Sequence, residues 1–200
     1  MVLYKYRGVK IIEQKKLKLI CQDFISVNHY MSYRAVGKRV MAYKPKTTKD
    51  FEKTFSTYVK EEILKQGWIK PPNGKLVIMD TIFYFPRIDM DAQNYFKSLC
   101  DILTTCEVWE DDNIVMERVN RIYYDSQNPR IEIEIYESNN VGIFDNNEEY
   151  DFFKEKCEMC KRFKNNCSIH KNALKNRIQN DVELTKTGWS CSKFKEIKSK

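Results

Sequence analysis

Asp89 and Asp91 stand two positions apart, Asn94, Lys97 and Asp101 follow at steps of three and four, and Asp111-Asp112 come about ten residues later. Carboxylates from separate segments with a lysine between them suit metal-assisted phosphodiester cleavage. Mg²⁺ or Mn²⁺ takes hard oxygen ligands and is held by one or two carboxylates plus water and substrate phosphate. The ion activates the attacking water and neutralises charge on the leaving oxygen. An ammonium beside it stabilises charge developing on the phosphorus oxygens. The plainer reading is that acids are common on surfaces and that Asp111-Asp112 is a polar turn.

The elements around these residues decide between the two. Leu76 to Phe85 is β-branched and aromatic and stops at Pro86, so a strand delivers Asp89 and Asp91 at its end. From Ala92 to Leu103 the apolar residues Phe96, Leu99, Cys100 and Leu103 mark one face of a helix, leaving Asn94, Lys97 and Asp101 on a polar stripe. Ile114 to Tyr124 reads as another strand. Ile131 to Ile135 alternates strictly and is expected to pair with Val115 to Tyr124 through the turn Ser126-Gln127-Asn128-Pro129, its glutamates facing solvent.

Upstream, a basic start leads into a strand over Leu17 to Ile25. A basic, aromatic loop follows, with Asn28, Arg34, Lys38, Arg39, Lys44 and Lys46 as candidate DNA contacts. His29 is left as a packing or polar residue. Thr47 is a candidate helix cap with Asp50 in the capping-box position, and Phe51, Phe55, Val59 and Ile63 form the buried stripe of that helix. Pro71-Pro72-Asn73-Gly74 is a turn. The order strand, loop, helix, strand, helix, strand, strand predicts an α/β (α+β) fold, a mixed sheet packed with helices.

The pattern D-x-x-N-x-x-K-x-x-x-D followed by W-x-D-D resembles the signature of the RusA-type Holliday junction resolvases, closely over about 35 residues and more weakly over 17–137. Without gaps, the resemblance places Asp91 on the first family aspartate, Asn94 on the asparagine and Lys97 on the catalytic lysine. Asp101 falls on the helical aspartate and Asp111-Asp112 on the terminal pair. Gln93 stands where the family has a second aspartate. If the backbone is extended there, Asp89, Asp91 and Gln93 point the same way and Asp89 supplies the missing charge. A two-residue insertion that makes Asp89 and Asp91 the family pair is the other alignment.

The resemblance implies a Mg²⁺- or Mn²⁺-dependent endonuclease that cuts four-way junctions symmetrically. Asp91, Asp112, Lys97 and Asp89 are its expected catalytic residues, and Asp111 is a further metal ligand. Asn94, Asp101 and Gln93 would support them. It also implies a homodimer, since two symmetric cuts need two equivalent sites. The alternative is a zinc-bearing junction-binding protein whose nuclease is weakened at Gln93.

Two hundred residues with 42% apolar content suffice for one core and a small appendage, and the net charge of +7 is compatible with a polyanionic partner. Asp80 and Thr81 break the longest apolar run, so no membrane span is expected, and Met1 to Arg7 lack a signal-peptide core. A cytoplasmic protein with reduced thiols is the resulting expectation. Residues 1–137 read as the endonuclease domain, 138–150 as a linker rich in Asn and acids, and 151–200 as a Cys-rich module. There, Cys157-x-x-Cys160, Cys167, His170 and Cys191 give five candidates for a tetrahedral zinc site. A resemblance to small zinc-binding tails ending in W-x-C-x-x-F favours Cys157, Cys160, Cys167 and Cys191, with Trp189 and Phe194 as the mini-core and His170 as the alternate. Such a closed site implies a structural Zn²⁺. Cys21, Cys100 and Cys106 fit core positions.

Overall fold

The structure, a computed structural model, describes residues 15–72 and 74–197. The basic start over 1–14 and Asn73 of the expected turn lie outside the described residues. The chain divides into two compact units, one running to residue 137 apart from 74–76, the other made of 74–76 and the chain from 138 onward.

In the first unit the elements are β1 (Leu17–Cys21), α1 (Val27–Tyr30), β2 (Ser32–Val36), β3 (Arg39–Tyr43), α2 (Lys46–Gln66) and β4 (Val77–Phe85). They are followed by α3 (Gln93–Thr105), β5 (Val115–Tyr124) and β6 (Arg130–Glu137). Four strands form a mixed sheet in the order β1-β6-β4-β5, with β4 and β5 parallel. The predicted pairing of Val115–Tyr124 with Ile131–Ile135 is corrected: β6 pairs antiparallel with β1 and β4, on the far side of β4 from β5. The reason is burial. In β6 Ile131, Ile133 and Ile135 are buried, a stripe suited to an interior strand, whereas residues Glu117 to Tyr124 of β5 are exposed and occupy the edge.

The helices cover the buried face. Phe51, Phe55 and Val59 of α2 are buried and Ile63 packs against the core. On α3, Phe96, Leu99, Cys100 and Leu103 point inward, leaving the polar stripe outside. The predicted cap at Thr47 is not formed: α2 begins at Lys46, its cap position is Pro45, and Thr48 is buried inside the first turn. Proline fits there because the first helical N–H groups lack intrahelical partners anyway. Between α3 and β5, Trp109 is buried and donates its indole N–H to Thr104 Oγ1 at 2.7 Å, while Trp68 donates to the Val108 carbonyl at 3.0 Å. These two rings fix the loop that carries Asp111 and Asp112; truncating one such buried ring costs about 3–5 kcal/mol.

The segment read as a basic loop is a short helix and a hairpin. Among the described residues β2 and β3 pair only with each other, joined at Gly37, whose φ of +61° is the left-handed conformation glycine allows.

In the second unit, α4 (Asn147–Glu158), α5 (Lys161–Lys164) and α6 (Ser168–Leu174) precede a hairpin of β7 (Val182–Thr185) and β8 (Gly188–Cys191). Phe144, Phe153, Cys157, Ala173 and Val182 form its core with Trp189 against it, so residues 138–150, expected as a linker, contribute Phe144 and the first turn of α4. Trp189 stands at 5.1 Å edge-on to Phe144, whereas Phe194 is left partly exposed.

Candidate functional site

The polar stripe of α3 becomes a site because the loop before β5 folds back onto it. Lys97 Nζ lies 2.6 Å from Asp101 Oδ1, one turn along the helix, and 3.2 Å from Asp112 Oδ2. Hydrogen bonds to Asp101 and then Asp112 push the lysine pKa up, and the bond from Lys97 holds the Asp112 carboxyl below its ordinary range. Asp111 is occupied differently: its Oδ1 accepts the Asn113 N–H at 3.3 Å, capping the short turn at 112–114. Next to this turn, Cys100 Sγ donates to Glu117 Oε1 at 3.1 Å.

Lys97, Asp101 and Asp112 line an open cavity of about 630 Å³ together with Tyr30, Lys44 and Glu52. Glu52, on α2, accepts from both the Tyr30 hydroxyl and the Lys44 ammonium. Burial works against its ionisation, and the two donors outweigh that, so its pKa falls. Burial and the bond to Glu52 push the Tyr30 pKa up.

Asp89, Asp91 and Asn94 line a second cavity, of about 470 Å³, with Asn28, His29 and Arg87. Asp91 Oδ1 accepts the Gln93 N–H at 3.0 Å, holding the start of α3, a position where negative charge is favoured. Asp89 pairs with Arg87 Nε at 3.0 Å, and His29 Nδ1 lies 3.0 Å from Ser26 Oγ. The chain is already helical at Ala92, so strand-like alternation does not carry Gln93 onto the face of Asp89 and Asp91.

The predicted residues thus fall into two groups. β4 and β5 run parallel with Val77 beside Val115, so the acids after β4 and those before β5 lie at opposite ends of the strand pair, bridged by α3. Lys97, Asp101 and Asp112 are brought together; Asp91 and Asp112 line different cavities. Among the described residues, no three His, Cys, Asp or Glu side chains converge on a point where an ion would sit. The donors themselves, carboxylate oxygens with amide and lysine beside them, are the hard set a divalent ion takes. Tyr30, Glu52 and Glu117 were not singled out as site residues from sequence, and His29 was read there as a polar or packing residue. Only Tyr30, in the run Ser26-Val27-Asn28-His29-Tyr30, carried a signal.

On the hairpin, Arg34, Lys38 and Arg39 are exposed, and the Arg34 guanidinium lies 5.6 Å from the Tyr43 ring centre. Lys46 opens α2 at its foot.

The sequence model of the family described as endodeoxyribonuclease RusA matches residues 26–136, from just before α1 to the end of β6. The chain belongs to this family. It is therefore an endodeoxyribonuclease, of a family that acts on branched DNA junctions with divalent metal ions. The RusA match ends before residue 138, so the second unit lies outside it. No curated protein matches the chain. No described helix is long and apolar enough to cross a membrane.

In the second unit, Cys157, Cys160, Cys167, Cys191 and His170 line one cavity of about 380 Å³. Lys195 donates its backbone N–H to Cys160 Sγ at 3.3 Å. Burial pushes the Cys157 thiol up to about 12, whereas at Cys160 the amides of Lys195, Arg162 and Phe163 outweigh burial and bring the thiol down. His170 is packed between Phe153 and Phe163, and among the described residues its buried Nε2 has no hydrogen-bond partner.

Proposed function

We propose that this RusA-family chain is a structure-selective endonuclease that resolves four-way DNA junctions by paired, symmetric phosphodiester cleavage, acting as a homodimer. The observation that supports it is Lys97 held between Asp101 and Asp112 at the edge of a cavity with a second lysine, Lys44, on its wall.

Asp89 and Asp91 in one cavity, and Asp112 in the other, are the carboxylates that would hold Mg²⁺ or Mn²⁺, with Asp111 less free because it caps its own turn. Such an ion supplies an activated water and charge neutralisation at the leaving oxygen. For Asp112 to serve, Lys97 must release it, and a bound phosphate offers the ammonium another anion. Lys97 then faces the charge that develops at the scissile phosphate. Asp101 keeps the lysine side chain over the cavity. Asn94 lines the Asp91 cavity, where it would help orient the carboxylates. Asn28, Arg34, Lys38, Arg39, Lys44 and Lys46 hold phosphates, which makes binding steeply salt-dependent.

Cleavage of a labelled four-way junction with Mg²⁺ tests this. Paired symmetric nicks that vanish in Asp91→Asn and Asp112→Asn support it; cutting of linear duplex at the same rate as junction would sink the selectivity.

For the second unit, we propose a structural Zn²⁺ on Cys157, Cys160, Cys167 and Cys191, with His170 as the alternate ligand. Thiolates and imidazole are the donors a tetrahedral zinc site takes, and here all five line one cavity. Metal analysis of the purified chain should return one zinc per chain, falling in Cys160→Ser. A zinc-free, fully folded second unit would overturn the assignment.

A further inference from the structure

Among the described residues, no element covers the β2–β3 hairpin. Beyond Ser32, every residue of both strands is exposed, and among the described residues the two strands pair only with each other. A lone two-stranded hairpin is marginal in water, so exposed apolar residues on it gain by meeting a partner. Tyr33 is 71% exposed and Val40 73%, while Val36, Met41 and Tyr43 are exposed to a lesser degree.

Cross-strand partners share a face, and the register therefore sorts the side chains. Tyr33 pairs with Ala42 and Ala35 with Val40, so one face carries no charge. Arg34 pairs with Met41, Val36 with Arg39 and Ser32 with Tyr43, so the other is basic and aromatic. From Phe24 to Lys49 there is no acid, against six cations, Arg34, Lys38, Arg39, Lys44, Lys46 and Lys49. Charge complementarity thus points to a polyanion.

The foot of the hairpin is fixed at the Lys97 cavity, because Tyr30 and Lys44, flanking its two strands, are both bound to Glu52. Five residues of strand reach at most about 17 Å, the length of about five base steps. The tip therefore works within a few base pairs of the cavity. A duplex offers phosphates there but keeps its bases stacked. A branch point offers phosphates together with base pairs whose stack is interrupted.

We propose that the hairpin is a wedge at the branch point, its Tyr33–Val40 face lying against unstacked bases while its Arg34–Arg39 face follows the phosphates. This rests on the reading that the substrate is a junction. Apolar side chains inserted at base steps unstack them, and aromatic rings take up the freed bases without regard to sequence.

The test uses the full chain and a four-way junction carrying a fluorescent purine analogue beside the crossover, with Ca²⁺ as the only divalent ion. Binding of the unaltered protein should raise the fluorescence as the base unstacks. In the double variant Tyr33→Ser/Val40→Ser that rise should vanish and junction affinity should fall about tenfold, with linear-duplex affinity unchanged. Both replaced side chains are largely exposed, so thermal unfolding should be unaltered. A rise that persists in the double variant overturns the wedge while leaving the junction reading intact. A shift of the variant from dimer to monomer overturns it too, and assigns the face to a second copy of the chain. Equal affinity of the unaltered protein for junction and duplex would defeat the junction reading itself, and the wedge with it.

Discussion

Lys97 on α3 and Asp112 in the turn before β5 are joined at 3.2 Å although 15 positions separate them in the chain. That bond, with the one to Asp101, keeps the ammonium charged and aimed at the cavity. Replacing Lys97 by Met should lower single-turnover junction cleavage by about 10²–10³-fold, the scale of one lost transition-state donor. Junction affinity, measured by gel shift, should change by no more than about threefold, since many cations share the phosphate contacts. Loss of binding in step with cleavage would show Lys97 to be an anchor only.

The carboxylate pair around Asp91 can be assigned by exchange. Asp89 lines the same cavity as Asp91, and its partner Arg87 is exposed and easily displaced. Asp89→Asn should therefore cut cleavage about 10²-fold or more, on the scale of a lost catalytic group. Gln93→Asp should raise cutting little, because the side chain at the start of α3 does not share the Asp89 face. Restoration of activity in Asp89→Asn/Gln93→Asp would instead favour the gapless alignment, with position 93 as a ligand site.

Glu52 ties the hairpin foot to α2, and its pKa lies below the ordinary glutamate value of about 4.3. A depressed carboxyl contributes stability that is present above the unfolded-state pKa and is lost as pH falls through the folded-state value. Unaltered protein should therefore melt higher than Glu52→Gln at pH 7, and the gap should close as pH drops below about 4. A gap that stays constant down to pH 3 would show that the ionised carboxylate is not the group responsible.

Gly142 and Gly37 share a left-handed backbone, φ +60° and +61°, but not their surroundings. A Cβ on Gly142 would stand 2.1 Å from the Ala173 carbonyl oxygen, whereas one on Gly37 meets nothing within 4 Å. Gly142→Ala should destabilise the second unit by at least about 2 kcal/mol, and Gly37→Ala the first by about 1 kcal/mol. Comparable losses in urea unfolding of the two variants would contradict the packing at Ala173.

Much of this was legible in the sequence where local pattern decides the outcome. The strand ending at Phe85, the buried stripe of α3 and the polar stripe Asn94, Lys97 and Asp101 follow from side-chain period alone. The gathering of four cysteines after residue 150 was legible too, from their spacing rather than from any period. The failures were non-local. Alternation in Ile131–Ile135 identified a strand but not its neighbour, because period says which face is buried and nothing about which edge is free. Glu52 could not be found, since its role depends on Tyr30 and Lys44 arriving from another segment. Nor could the split of the acids between two cavities, which follows from β5 lying parallel to β4.

That parallel arrangement makes α3 a fixed spacer. Its 13 residues span about 20 Å between the end of β4 and the start of β5, with Asp91 at one end and Asp101 near the other. A one-residue insertion between Asn94 and Lys97 would turn everything beyond it by about 100°. Lys97 and Asp101 would swing off the line they share with Asn94, while Asp91, Asp111 and Asp112 kept their identities. The helix therefore behaves as a keyed shaft, in which the spacing of the residues is part of the chemistry they perform.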